Sequence, residues 1–173
     1  SIGEQAFYGS GVTSVTIPDS VTSIGALAFA KVPIKTLVVG KGLANQSSVG
    51  GGAFYGVCPT LESVSINSPN ALGRGNRTNR RLPWMTYAFS YGYDYVDKGL
   101  HFTQGSLLQT DSRYYGSPRD PASLFECENL QTITLGDDVK TVGSNIFSKL
   151  SSLTSLTIGS GVTSIGSNAF KDA

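Results

Sequence analysis

Residues 12–29 read VTSVTIPDSVTSIGALAF, and residues 153–170 read LTSLTIGSGVTSIGSNAF. In both stretches an alternating run is followed by a turn and then by six residues of the form [V/I]-G-x-x-[A/I]-F. The alternation has a period of two, which sends successive side chains to opposite faces of a strand. It predicts a short strand with Val15 and Ile17 facing the core and with Ser14 and Thr16 facing outward.

The six-residue motif recurs along the chain, and adjoining copies lie 22 to 25 residues apart. A unit of this size cannot bury its apolar side alone, so copies stack and complete one another's core. The sequence therefore predicts a β-rich solenoid. Copies of the motif begin at residues 2, 24, 49, 142 and 165.

Two positions of the motif carry specific expectations. Its glycine, as in Gly25 and Gly50, is expected to have a positive φ or to lie against another backbone segment. The phenylalanines are predicted to form an internal aromatic stack, made of Phe7, Phe29, Phe54, Phe125, Phe147 and Phe170.

Residues 1–66 and 122–173 resemble the leucine-rich repeats of BspA-like, or Treponema pallidum type, surface proteins. The phrases VTSVTIPDSVTSIGALAF and LTSLTIGSGVTSIGSNAF carry the resemblance. It implies a right-handed leucine-rich-repeat coil of about six repeats, with a parallel β-sheet on its concave side. It also implies an extracellular or cell-surface protein that adheres to a protein or a glycan.

Charge and hydropathy exclude some classes of partner. The net charge of +1 gives no overall field that would attract nucleic acid or an anionic membrane. No apolar run approaches the length of a membrane span, so direct insertion of this segment is not expected. The chain begins and ends inside a repeat, which suggests a piece of a longer protein.

The regular pattern stops between residues 67 and 121, and two architectures fit the interruption. In the first, this segment is one looped-out insertion, and the strands on either side of it pair directly. In the second, Trp84–Phe89 is a degenerate motif, and Val96, Leu100 and Phe102 continue as its strand. The spacing favours the second, which gives a single domain over 1–173 with a degenerate repeat and loop insertions at 67–121.

The two cysteines, Cys58 and Cys127, each precede a strand phrase by three residues. If their repeats are neighbours, their Cα atoms lie about 5 Å apart, within reach of a disulfide. One intervening repeat forbids the bond. The commoner outcome for such cysteines is two buried thiols, so both the disulfide and the free-thiol interpretation stay open.

Candidate ligand-binding residues concentrate in the irregular middle. Tyr91, Tyr93 and Tyr95 are spaced by two and predict an aromatic row on one face of a strand, either a binding surface or a cap on the core. A basic loop, formed by Arg74, Arg77, Arg80 and Arg81, suits a sulfated glycan, although a solvated loop is the commoner explanation.

Chemistry-bearing motifs are otherwise scarce, so we expect no enzyme, no cofactor and no metal site. His101 is the sole histidine, and no nucleophile is set beside it by the pattern. Gly50–Gly52 lacks the Lys-Ser/Thr of a phosphate-binding loop. Asn45 and Asn76 match the glycosylation pattern, which matters only in a secreted eukaryotic protein.

The outward residues of the strand phrases predict a second surface, a nearly uncharged sheet covered by hydroxyl groups. Such a surface suits a polysaccharide or a protein strand, although Ser/Thr ladders also occur because they pair well. Its members are Ser14, Thr16, Thr36, Val38, Ser63, Ser65, Thr132, Thr134, Ser155 and Thr157.

From these features the sequence predicts a non-enzymatic extracellular binding or adhesion module for a protein or polysaccharide ligand. The alternative is a structural subunit that binds copies of itself end to end in a filament, because uncapped solenoid ends expose an apolar cross-section. Nucleic acid is not an expected partner.

Overall fold

The structure is a computed structural model that describes residues 1–44, 48–69, 72, 93–96, 99–102, 127–143 and 146–173. Strands, turns and irregular segments make up these residues, and they contain no α-helix. The strands are β1 (Ser14–Ile17), β2 (Thr36–Val39), β3 (Ser63–Ile66), β4 (Tyr93–Val96), β5 (Gly99–Phe102), β6 (Thr132–Leu135), β7 (Thr141–Val142), β8 (Ser155–Ile158) and β9 (Ser164–Ile165).

Five of these strands form one parallel sheet in the order β1-β2-β3-β6-β8. Each pairs with the next in the same register, so that Val15, Leu37, Val64, Ile133 and Leu156 lie side by side. Each strand belongs to a different coil of the solenoid, and about four turns lead from β1 to β8. The predicted solenoid is confirmed.

The residues that the period-two alternation predicts to face inward are the ones that form the core. In β2, β3 and β6 the inward residues are fully or almost fully buried, while the outward residues are exposed or half-buried. β8, at the edge of the sheet, is exposed at all four positions because no described coil covers it.

A second line of contacts joins the coils at the start of the motif. Ile2, Ile24 and Val49 form parallel bridges with one another, and β7 pairs with β9 in the same way. Backbone bonds continue along the motif; Phe29 N–H, for instance, donates to Ala53 O at 2.7 Å. The coils are therefore hydrogen-bonded on two sides of the core.

The predicted stacking of the motif phenylalanines is confirmed for three neighbouring pairs. The ring centroids of Phe7 and Phe29 are 4.9 Å apart, those of Phe29 and Phe54 are 5.4 Å apart, and those of Phe147 and Phe170 are 5.3 Å apart. Phe54 and Phe147 are completely buried. Phe125 lies outside the described residues.

The glycine of the motif meets the second of its two expectations, close approach. A Cβ on Gly25 would collide with the backbone of Glu4, and one on Gly50 would collide with the backbone of Ala26. Neither has a positive φ. Positive φ occurs two residues later, at Gln5, Leu27, Gly52 and Asn168, and again after the Phe, at Gly9, Lys31, Gly56, Lys149 and Asp172.

The prediction that Val96, Leu100 and Phe102 form the strand of a degenerate repeat in the sheet is wrong, while its predicted motif at Trp84–Phe89 lies outside the described residues. β3 pairs directly with β6, so no strand lies between them in the sheet. Val96, Leu100 and Phe102 belong to the hairpin of β4 and β5, which are antiparallel to each other. The alternating runs YDYV and GLHF, separated by two residues, are typical of a β-hairpin. The two strands form backbone hydrogen bonds with each other and do not need a strand of the solenoid as a partner.

Candidate binding surface

The outward side chains of the five-stranded sheet form two straight rows, which we call the hydroxyl face. Because the register is constant, each residue lies beside its counterpart on the neighbouring strand. One row is Ser14, Thr36, Ser63, Thr132 and Ser155, and the other is Thr16, Val38, Ser65, Thr134 and Thr157. Nine of these ten residues carry a hydroxyl group.

The hydroxyl groups of this face have unused bonding capacity. None of the nine forms a hydrogen bond with another described residue. Two hydroxyls away from the face, in contrast, are engaged: Thr60 donates to Ile34 O at 2.9 Å, and Ser68, which is buried, donates to Leu43 O. Each hydroxyl can donate one bond and accept two, so the face offers a periodic array of donors and acceptors.

The hydroxyl face carries no ionisable side chain. At its border, Lys35 and Glu62 precede β2 and β3 and form an ion pair, with Nζ 3.1 Å from Oε1. Both side chains are about half exposed, so the pair adds little stability, but each charge is balanced by the other. The face therefore presents a nearly neutral surface.

The turns after the strands are fastened to the next coil by acidic or amide side chains. The Asp19 carboxylate accepts a bond from Lys41 N–H at 2.9 Å, and the Asp137 carboxylate accepts one from Ser160 N–H at 2.7 Å. The backbone N–H and the hydroxyl of Ser160 hold the pKa of Asp137 below its usual value, and Lys140 acts in the same direction. These turns keep the edge of the face in register.

Cys58 and Cys127 form a disulfide whose Cα atoms are 4.2 Å apart. The free-thiol interpretation is wrong because β3 and β6 are neighbours, which brings equivalent positions of their coils together. The disulfide joins the coils on the two sides of the irregular middle. We call this junction the seam.

Amide side chains also cross the seam, and the sequence analysis did not identify them. Asn129 Nδ2 donates to Pro59 O at 2.7 Å, and Asn67 Nδ2 donates to Asp138 Oδ2 at 2.8 Å. Asp138 N–H donates back to Asn67 Oδ1 at 3.0 Å. The bonds of Asn67 could have been suspected from the sequence, because Asn67 departs from the repeat pattern at a position where other coils have Gly40 or Gly159.

Most of the predicted sites in the middle fall outside the described residues: Tyr91, Arg74, Arg77, Arg80, Arg81, Asn45 and Asn76. Tyr93 and Tyr95 lie in β4, opposite Phe102 and Leu100 of β5, and His101 lies in β5 opposite Asp94. The aromatic row, the basic loop and the glycosylation sites remain predictions.

The sequence analysis did not predict a contact between Tyr8 and Lys31. Tyr8 follows the first motif phenylalanine and is 44% exposed, and the Lys31 Nζ lies 5.6 Å from its ring centroid.

Within the described part of the chain, no cluster of His, Cys, Asp or Glu is arranged to hold a metal ion. The same residues include no helix long and apolar enough to cross a membrane.

A family model supports the repeat architecture. The family described as BspA type leucine rich repeat region matches residues 1–75 and 120–173 in six copies. A search of curated proteins gave no match. Among solved structures, a leucine-rich repeat protein from Bacteroides ovatus matches with 20% identity and a TM-score of 0.37, over 94% of this chain and 41% of that one. The chain thus spans less than half the length of that protein.

Proposed function

We propose that this chain, which belongs to the BspA-type leucine-rich repeat family, is a non-enzymatic extracellular module that binds a protein or glycan ligand. The observation that carries the proposal is the hydroxyl face, with nine hydroxyls free of bonds to described residues across five strands. An extended surface of this kind is how solenoid proteins contact their ligands. The adhesion known for the family points the same way.

The Cys58–Cys127 disulfide supports the extracellular location. Disulfides persist in secreted and surface proteins and are rare in reducing compartments. This bond also joins coils that are 69 residues apart in the sequence, so the seam is reinforced under the conditions that an exported protein meets.

The test is a binding measurement against an array of matrix proteins and of neutral and acidic glycans. Ser65→Arg places a long cation in the middle of the hydroxyl face. Thr22→Arg makes the same change of charge at an exposed residue away from the sheet. We expect Ser65→Arg to weaken binding at least about tenfold and Thr22→Arg to leave it unchanged. Equal binding by both variants would overturn the assignment of the face.

End-to-end association is a second candidate, favoured by the exposed inward residues of the last coil. Leu156 and Ile158 are 38% and 43% exposed, whereas their counterparts Ile133 and Leu135 are buried. β1, with Val15 and Ile17, has the same alternating pattern as β8, so β1 of another copy could pair with β8 in register. Further repeats of a longer chain would cover the same surface.

Sedimentation of the 173-residue chain tests this candidate. If it holds, the mass rises with concentration, and Ile158→Glu abolishes the rise. A chain that stays monomeric up to about 1 mM, where even weak specific contacts are populated, contradicts it.

A further inference from the structure

We propose that the ligand of the hydroxyl face is an uncharged, linear polysaccharide that lies across the five strands, parallel to the solenoid axis, with about one sugar ring over each strand. This inference rests on the proposed function, since it names the class of ligand for the same surface. Chemistry, spacing and charge each support it.

The chemistry of the two partners is matched. A serine or threonine hydroxyl is both a donor and an acceptor, and its hydrogen atom can rotate to suit a partner. Sugar hydroxyls have the same dual character, so either side can donate at each contact. The hydroxyls of the face have no bond to a described residue that would have to break first.

The spacing of the face fits a polymer of sugar rings. Adjacent strands lie about 4.8 Å apart, which is close to the length of one ring in an extended polysaccharide. The constant register keeps this interval across all five strands. Along each strand the two rows are two residues apart, roughly 6.6 Å, so one row lies on each side of a ring.

Charge selects against acidic polymers. A sulfated glycan or a nucleic acid gains most of its affinity from cations beside its anionic groups, and the two rows of the face contain none. Lys35, which precedes β2 at one border of the face, is paired with Glu62. A neutral polymer exchanges its hydrogen bonds to water for bonds to the hydroxyl face, whereas a polyanion would also give up the hydration of its charges with no cation to replace it.

Val38 is the one interruption in the rows, and it supplies an internal test. It lies between Thr16 and Ser65 and is half-buried. Val38→Thr replaces a methyl by a hydroxyl of nearly the same shape and completes the row. If the ligand reads the row of hydroxyls, this change strengthens binding.

The experiment is calorimetric titration with neutral linear oligosaccharides of two to eight sugars, prepared from cellulose, xylan and mannan, beside a heparin oligosaccharide. We expect binding of at least one neutral series, with affinity that rises with length up to about five sugars, the number of strands, and no binding of heparin. Thr16→Val and Thr134→Val should each weaken it about two- to tenfold, the effect of one lost hydrogen bond. Val38→Thr should strengthen it about two- to fivefold.

Thr22→Val is the matched control, because it removes a hydroxyl at an exposed position away from the face, and it should change nothing. Neutral binding that the face variants do not alter overturns the inference, as does preference for heparin. If only matrix proteins bind, and Ser65→Arg weakens them, the ligand class is wrong while the proposed function stands. If no probe of either kind binds, both are overturned.

Discussion

At the scale of single residues, the neighbouring coil decides what a position tolerates. Gly50 lies against the backbone of Ala26, and an added Cβ would collide with it. Gly3 has the same place in the first coil, but nothing lies within 4 Å of its added Cβ. The same substitution therefore has different consequences at two equivalent positions.

We expect Gly50→Ala to lower the free energy of unfolding by about 2 kcal/mol or more, since overpacking typically costs about 1–3 kcal/mol and backbone cannot turn away as a side chain can. Gly3→Ala should stay within about 0.5 kcal/mol of the parent chain. Urea denaturation of both variants measures the difference. Equal losses would show that the glycine is needed for its own backbone conformation.

The left-handed positions allow a test of conformation without crowding. Gly56 has a φ of 77°, and the nearest atom to an added Cβ is 3.6 Å away, an ordinary contact. Lys149 occupies the equivalent position with a φ of 62°. An L side chain in this region costs roughly 1–2 kcal/mol relative to glycine.

Gly56→Ala is therefore expected to destabilise the chain by about 1 kcal/mol. Lys149→Gly should stabilise it by a smaller amount, because the greater freedom of glycine in the unfolded chain offsets part of the gain. Thermal and urea denaturation give both values. A loss of stability in Lys149→Gly would mean that its side-chain contacts outweigh the backbone strain.

Asp137 gives the structure a pH dependence whose sign is fixed by its hydrogen bonds. The Ser160 N–H and hydroxyl bind the ionised carboxylate and lower its pKa in the folded chain. A carboxyl group with a lowered folded pKa contributes stability above its unfolded pKa, near 3.8. This contribution disappears as the pH falls through the folded pKa.

Asp137→Asn removes this titration and retains the shape of the side chain. We expect the variant to melt below the parent chain at pH 7 and the gap to narrow as the pH is lowered toward 3. Melting temperatures across this range measure the gap. A gap that stays constant with pH contradicts a role for the charged carboxylate.

At the scale of elements, the phenylalanine stack and the sheet jointly hold the coils. Phe147 is fully buried and stacks on Phe170, whereas Phe7, in the same position of the first coil, is 43% exposed. Phe147→Ala should lower the free energy of unfolding by about 3–5 kcal/mol. Phe7→Ala should cost clearly less, because solvent already reaches its ring. A loss below about 1 kcal/mol for Phe147→Ala in denaturant melts would refute its core role.

The strands of the regular repeats could be predicted from the sequence because a strict period of two fixes which side chains turn inward. Val15 and Ile17 follow that rule, and so do Ile133 and Leu135. The left-handed positions could not be predicted in every coil, because glycine occupies them in some coils, as at Gly52 and Gly56, whereas Gln5, Leu27 and Lys31 occupy them in others. Backbone hydrogen bonds to the adjacent coil hold these residues there, and such bonds have no local signal.

The seam was beyond the sequence for a different reason. Whether β3 pairs with β6 depends on where residues 67–121 go, and their spelling fits a hairpin as well as a decayed repeat. In the candidate binding surface, too, some residues could be predicted from the sequence and others could not. The hydroxyl face follows from the regular repeats and could be named residue by residue, whereas the cross-links of Asn67 and Asn129 arise only once the two blocks meet.

At the scale of the whole molecule, the seam joins two blocks of the solenoid that are far apart in the sequence. In a repeat protein, stability is a sum of coil energies and of interfaces between neighbouring coils. Most interfaces join coils about 22 residues apart, but the interface between β3 and β6 must also close a much longer loop, which costs conformational entropy. The disulfide removes that cost from folding because the loop is closed in the unfolded chain as well.

Breaking the disulfide should therefore change the cooperativity of unfolding as well as its free energy. For a loop of 69 residues, the Cys58→Ala, Cys127→Ala double variant is expected to lose about 4 kcal/mol. We also expect its single denaturation transition to split or broaden, because coils 1–66 and coils 127–173 no longer unfold together. Hydrogen exchange of β2 and β8 follows the two blocks separately. A double variant that keeps one sharp transition would show that the ladder between β3 and β6, with its asparagine bonds, couples the blocks without the disulfide.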